Sequence, residues 1–234
     1  MISGKPVVDV IIPAFNEEAS IAKVIGDIPS SLVRHIIVAN NNSTDETAAV
    51  AERTGAVVVH EKRKGYGSAC LKGMEWIASL TEDDKPDIVL FLDADYSDHP
   101  EEAPQLIAPI VKDGYDMVIG SRVLGPLEPG SMTPQQIFGN WLATRLIRWL
   151  YQYHFTDLGP FRAIRYNALL DLEMRDPDYG WTVEMQVKAA KSGLNCTEVP
   201  VSYRKRIGKS KVSGTVKGTI LAGYKILWTI FKLL

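Results

Sequence analysis

Apolar residues in the first half of the chain come in short unbroken runs rather than alternating with polar ones. Val7 to Ile12, Ile36 to Ala39, Val57 to Val59, Ile88 to Leu92 and Met117 to Ile119 are such runs, rich in β-branched residues. They read as strands buried on both faces, the first closed by Pro13. Between them the spacing turns helical: Glu17 to Ile28, a stretch through Arg53, Gly67 to Leu80 and Glu101 to Lys112. Ser43 followed by Glu46 predicts a capping box opening the second of these helices. Strands alternating with helices predict an α/β fold, a mostly parallel Rossmann-like sheet with helices on both faces. Ligands of such sheets bind beyond the carboxyl ends of the strands.

The rhythm changes after Arg122. Gly125 to Pro134 is rich in Gly and Pro and reads as a loop, and Ile137 to Phe155 as an aromatic-rich helical stretch with Arg145 and Arg148. Asp157 to Pro200 is mixed α/β, followed by a basic loop and a last apolar helix, Val216 to Leu234. At about 100° per residue, Lys217, Lys225 and Lys232 of that helix share an arc of roughly 80°. The pattern predicts a C-terminal amphipathic helix lying in a membrane interface with Trp228 and Phe231 at headgroup level. Packing on the domain, or in a homo-oligomer, is the alternative.

Length and composition narrow the class. A chain of 234 residues with 46% hydrophobic and 23% charged residues fits one large domain or two small ones. Its net charge of −2 hides an asymmetry, for Val199 to Leu234 holds eight Lys or Arg and no acid. A basic arm on an acidic body predicts an anionic partner. The two cysteines, Cys70 and Cys196, read as free thiols of a reducing compartment. Met1 to Pro6 lacks the basic start and apolar core of a signal peptide. The expected location is the cytoplasm, peripherally at the inner face of the membrane.

Candidate chemistry clusters at the strand ends. Asp93-Ala94-Asp95 follows the fourth strand, and residues i and i+2 leaving a strand point the same way. Two such carboxylates repel unless a cation or donors neutralise them. A hard ion, Mg²⁺ or Mn²⁺, bound by carboxylates and substrate phosphates suits them; a pair of helix-capping loop acids is the plainer alternative. Pro13-Ala14-Phe15-Asn16-Glu17 follows strand one and Asn40-Asn41-Asn42-Ser43-Thr44-Asp45 strand two. Lys64-Gly65-Tyr66-Gly67 opens a helix whose N-terminus favours an anion. Ser121-Arg122 offers a guanidinium for phosphate or carboxylate.

In order and spacing, Ile11-Ile12-Pro13-Ala14-Phe15-Asn16-Glu17-Glu18, the Asn41 to Thr47 turn, Asp93-Ala94-Asp95 and Gly120-Ser121-Arg122 resemble glycosyltransferase family 2. Glu198-Val199-Pro200-Val201 and the run Arg204 to Lys211 are similar to the dolichyl- or polyprenyl-phosphate sugar transferases of that family. The resemblance implies a GT-A fold, an inverting mechanism, a nucleoside-diphosphate sugar donor and a metal ion. It implies a catalytic domain over 1–214, its nucleotide-sugar half ending at 125 and its acceptor half covering 126–214, then a membrane-surface helix over 215–234. Carried over by position, Pro13, Phe15, Glu17, Asn41, Lys64, Gly65, Ala94 and Arg122 would contact the donor. Asp93 would lie near ribose and metal, Asp95 would bind the metal, and Arg204, Arg206 and Lys211 would hold acceptor or donor phosphate. Asn40 and Asn41 stand where the family carries acids.

The expected reaction moves a sugar from a UDP- or GDP-sugar to a polyprenyl-phosphate or other membrane-lipid acceptor, with an anionic membrane surface and no nucleic acid as partner. An ionised lipid phosphate needs no general base. A soluble or glycan hydroxyl acceptor would need one, and Asp157 and Glu184 are the candidates, each with a structural alternative: a turn or cap for Asp157, pairing with Lys188 for Glu184. A nucleotidyltransferase would more naturally carry a glycine-rich loop after strand one. A non-catalytic membrane scaffold of the same fold is the remaining rival.

Overall fold

The computed structural model describes residues 5–208 and 216–234. A single seven-stranded sheet has the order β3-β2-β1-β4-β6-β5-β7. Its strands are β1 (Val8–Ala14), β2 (His35–Asn40), β3 (Val57–His60), β4 (Ile88–Phe91), β5 (Met117–Ser121), β6 (Arg162–Arg165) and β7 (Cys196–Pro200). All pairings are parallel except those of β6 with β4 and β5. The carboxyl ends of β1 to β5 therefore share one edge, where the reversed β6 begins.

Successive residues of a strand enter opposite cores. Ile11, Ile37, Val89, Phe91, Met117 and Ile119 belong to one buried cluster; Val10, Ile12, Val38, Ile88, Leu90 and Val118 belong to the other. Both faces are covered, which is why the sequence shows unbroken apolar runs. The helices are α1 (Ile21–Asp27), α2 (Thr47–Arg53), α3 (Tyr66–Ala78), α4 (Ala103–Lys112), α5 (Pro134–Tyr151), α6 (Tyr166–Asp171), α7 (Trp181–Lys191) and α8 (Val216–Lys232).

Three local expectations are corrected. Pro13 does not close β1, which runs on to Ala14 beside β2. The Ile11 carbonyl accepts from Leu92 on the β4 side and that of Ala14 from Asn41 on the β2 side. By alternation Pro13 faces the β4 side, where pairing has just ended and no N–H is needed. The capping box at Ser43 and Glu46 does not form: α2 begins at Thr47 without a side-chain cap, and Ser43 Oγ instead accepts from the Asn16 amide at 3.0 Å. A capping box does open α5, where Thr133 and Gln136 bond reciprocally ahead of Pro134, inside the stretch read as loop.

Helix α8 packs on the domain by one face and leaves an apolar face exposed. Thr229 and Ile230 are buried, and Tyr151 of α5 donates to the Ile230 carbonyl. Opposite, Ile220, Leu221, Tyr224, Trp228 and Phe231 are exposed. Lys225 is turned toward the domain, 3.1 Å from Asp176, so the lysines do not all edge the exposed face. Among the described residues no helix is long and apolar enough to cross a membrane.

Helix α3 sits on β1 through Gly73, where a Cβ would come within 2.6 Å of the buried Ile11 side chain. Gly73→Ala is expected to lower stability: helix propensity offers up to about 1 kcal/mol in its favour, against about 1–3 kcal/mol for overpacking. Urea unfolding measures the balance, and a raised midpoint would show that α3 has room to move.

Candidate active site

The loop after β4 carries the acids. Asp95 is buried, and its Oδ1 accepts from the Ser97 amide at 2.9 Å and from Ser97 Oγ at 2.5 Å. Tyr96 between them has φ of 65°, a left-handed conformation unusual for a bulky residue. Two contacts hold it: its hydroxyl donates to Asp27 at 2.5 Å, and the Arg204 guanidinium stacks 3.3 Å from its ring centroid. Tyr66 donates to Asp93 Oδ1 at 2.9 Å. Burial, then repulsion from Asp95, raises the Asp93 carboxyl above its ordinary value.

The basic segment after β7 is pinned to this loop by its backbone. Arg204 N donates to the Ser97 carbonyl and Ile207 N to that of Asp95, each at 2.9 Å. That register places Arg206 between two acids, 2.6 Å from Glu17 and 3.0 Å from Asp95. Arg204, on the far side of the same loop, donates to the carbonyls of Tyr96 and Asp98. The two arginines thus divide: Arg206 faces the acids of the cleft, and Arg204 braces the loop from behind. Lys211 lies outside the described residues.

On the other wall, Asn41 donates to the Arg63 carbonyl at 2.7 Å and accepts from Gly65 N at 2.9 Å. Its amide side chain thus holds the Lys64-Gly65 turn against β2. The glycines of that turn make room for protein backbone. A Cβ at Gly65 would fall 2.1 Å from the Pro177 carbonyl oxygen, and one at Gly67 would fall 1.9 Å from that of Asp176.

Together these elements enclose a cleft of about 310 Å³ at the shared carboxyl edge. Pro13, Phe15, Glu17, Asn41, Lys64, Gly65, Asp93, Ala94, Asp95 and Arg206 all line it, so most of the residues singled out from sequence come together. Three do not. Arg122 is turned away, bidentate to the buried Asp157 at 2.8 and 2.6 Å. Burial alone would raise the Asp157 carboxyl, but the charge and hydrogen bonds of Arg122 outweigh it and hold the group below its ordinary value. Glu184 accepts from the amides of Arg175 and Asp176 at 3.1 and 2.7 Å and pairs with Lys188 at 2.9 Å. Neither candidate base lines the cleft.

Comparison with known proteins places this geometry. The model of "Glycosyl transferase family 2" matches residues 9–172. The chain belongs to glycosyltransferase family 2. An uncharacterized glycosyltransferase of Mycobacterium tuberculosis is 40% identical to it over 219 residues, 92% of this chain and 94% of its own. A dolichyl-phosphate hexose transferase of Haloferax volcanii is 31% identical over 215 residues, covering 91% of this chain and 89% of that one. Among solved structures, glucosyl-3-phosphoglycerate synthase of M. tuberculosis in complex with Mn²⁺, UDP and phosphoglyceric acid superimposes with a TM-score of 0.76 at 22% identity, over 97% of this chain and 78% of that one. The fold is GT-A, with the expected C-terminal helix in place.

Some of the transferase's site was not singled out from its sequence. Tyr66, Ala69 and Tyr179 also line the cleft, and Tyr66 was passed over because a lone K-G-x-G says nothing of its variable position. Ser97 fixes the Asp95 rotamer. Asp98 is fully buried, and neither carboxylate oxygen has a hydrogen-bond partner among the described residues. Burial and the nearby Asp93 push it well above its ordinary value, which favours a neutral acid. Among the described residues no group of three or more His, Cys, Asp or Glu is placed to hold a metal. Asp93 and Asp95 nevertheless suit a hard cation: two carboxylates repel across a cleft, leaving further positions for donor phosphate oxygens.

Glu184→Gln separates a clamp from a base. Weakening hydrogen bonds to a charged acceptor costs about 1.5–3 kcal/mol each, so its melting temperature should fall while transfer per folded molecule stays within about twofold. Lost transfer with unchanged melting would make Glu184 the base.

Proposed function

We propose that the enzyme transfers, with inversion, the sugar of a UDP- or GDP-sugar to a polyprenyl phosphate or other lipid phosphate at a membrane surface. The observation that carries the reading is the state of the cleft carboxylates. Glu17 and Asp95 are engaged by Arg206, and Asp93 by Tyr66. Asp157 and Glu184 are bound elsewhere. No lining carboxylate is left to deprotonate a hydroxyl, which favours an acceptor that is already ionised. The basic segment carrying Arg206, and the dolichyl-phosphate relative, support the same acceptor class.

The residues then divide the work. Pro13, Phe15, Asn41 and the Lys64-Gly65 turn form the wall for the nucleoside, and Lys64 lies 5.8 Å above the Phe15 ring. Asp95 and Asp93 would hold Mg²⁺ or Mn²⁺, which when bound offsets charge developing on the departing diphosphate. Arg206, while holding Glu17 and Asp95, stands where it can also meet a phosphate oxygen. Tyr66, whose hydroxyl burial keeps protonated, orients Asp93. Helix α8 would lie against the leaflet through its exposed Trp228 and Phe231.

Two measurements test this. Asp95→Ala should lose metal-dependent donor binding, a loss of several kcal/mol or roughly 100-fold or more in affinity, in calorimetric titrations with UDP- and GDP-sugars and Mn²⁺. Undiminished affinity would remove Asp95 from the metal site. The membrane arm is read by flotation with anionic liposomes, which should carry the full chain at low salt and release it as salt rises. Because Ile230 is buried, truncation of α8 would open the core; Trp228→Glu with Phe231→Glu is the cleaner variant and should stay with the soluble fraction. Wild type that never floats would point to a soluble acceptor.

A further inference from the structure

A second cavity of about 410 Å³ lies between α5 and the segment after β5. Val123, Leu127, Met132, Ile137, Trp141 and Phe155 give it an apolar lining. It is not a void of the core: Val123, Leu127, Ile137 and Trp141 are 52, 42, 53 and 51% exposed. Contiguous apolar surface open to solvent marks a binding site more often than a packing defect. Its charge is one-sided as well. Arg145, Arg148 and His154 line it, and no Asp or Glu does; α5 carries no acid anywhere along its length. The Arg145 guanidinium lies 5.8 Å from the Trp141 ring centroid.

The cavity is tied to the catalytic edge of the sheet. Asn140, in its wall, donates to the Thr156 carbonyl at 3.0 Å and accepts from Leu158 N at 2.8 Å. Thr156 Oγ1 meets Ser121 Oγ at 2.7 Å, and between Thr156 and Leu158 lies Asp157, which grips Arg122. The cavity therefore opens where β5 ends, on the same edge as the donor cleft. It also flanks α5, which packs on α8, the helix with the other large exposed apolar face.

The geometry points to this cavity as the site for the hydrocarbon chain of a prenyl phosphate, the α5 cations drawing in its anionic end. The assignment rests on the lipid-phosphate reading of the acceptor and adds where the chain lies. An apolar lining alone would accept any hydrocarbon, and cations alone any phosphate. Their combination selects the amphiphile.

Calorimetry with citronellyl phosphate, citronellol and inorganic phosphate reads this directly. Citronellyl phosphate should bind wild type at least tenfold more tightly than either other probe. Ile137→Asp and, on the opposite wall, Leu127→Asp should each erase its advantage over inorganic phosphate, and Arg148→Ala its advantage over citronellol. All three positions are exposed, and unchanged melting temperature is the control for folding. Equal binding of citronellyl and inorganic phosphate, or an advantage that survives both aspartates, overturns the assignment. Transfer from the sugar donor to a long polyprenyl phosphate keeps the two readings apart. Wild-type transfer with a KM for the lipid that neither aspartate raises overturns the cavity alone. Absence of wild-type transfer to any lipid phosphate overturns the acceptor reading, and the cavity then falls with it as an acceptor site.

Discussion

Asp93, Asp95 and Asp98 leave β4 within a few residues of one another, the first half-buried and the other two buried, and their mutual repulsion governs what surrounds them. Each is handled differently. Asp95 takes the charge of Arg206 and the donors of Ser97. Asp93 takes a phenol hydrogen bond from Tyr66. Asp98 takes no hydrogen-bond partner among the described residues and is driven toward its neutral form. Removing a buried partner from such a set costs about 3–5 kcal/mol, so the backbone that delivers Arg206 is under as firm a constraint as the acids. That explains the two main-chain hydrogen bonds fastening residues 204 and 207 to the acidic loop. A basic segment far away in sequence is thereby made part of the first half of the site.

The first five strands of the sheet were legible because a strand buried on both faces has no choice but a continuous apolar run, whereas β6 and β7 lie in the stretch read only as mixed α/β. Most cleft residues were legible for a related reason: topology puts the residues after β1, β2, β3 and β4 on one edge whatever their side chains do. What could not be read was where a charged side chain turns once there. Arg122 follows β5 as expected, yet a buried Asp157 some 35 residues later outcompetes the cleft for it. Glu184 shows its pairing with Lys188 in sequence, but its two backbone donors come from a loop whose path no spacing reveals. Ser43 and Thr133 make the same point for caps. Both begin an acceptable box, and a competing amide from Asn16 decides against the first.

The surface is as unequal as the interior. Acids collect at the cleft, whereas α5 carries none and α8 exposes Tyr224, Trp228 and Phe231. These helices pack on each other, Tyr151 to Ile230, so their apolar faces are fixed to one rigid flank of the sheet.

The close approach of Gly65 and Gly67 to the Asp176-Pro177 backbone gives that flank a mechanical consequence. Asp176 is also the partner of Lys225 on α8, and Gly180 is wedged between Asp176 and Thr229, where a Cβ would meet each at 2.4 Å. The Lys64-Gly65 turn, the 176–180 turn and the terminal helix are therefore stacked without slack, as gears rather than as beads on a string. A shift of α8 large enough to move Lys225 has nowhere to dissipate before it reaches the Lys64-Gly65 turn. Contact so close ties the position of the helix to that of the turn lining the cleft.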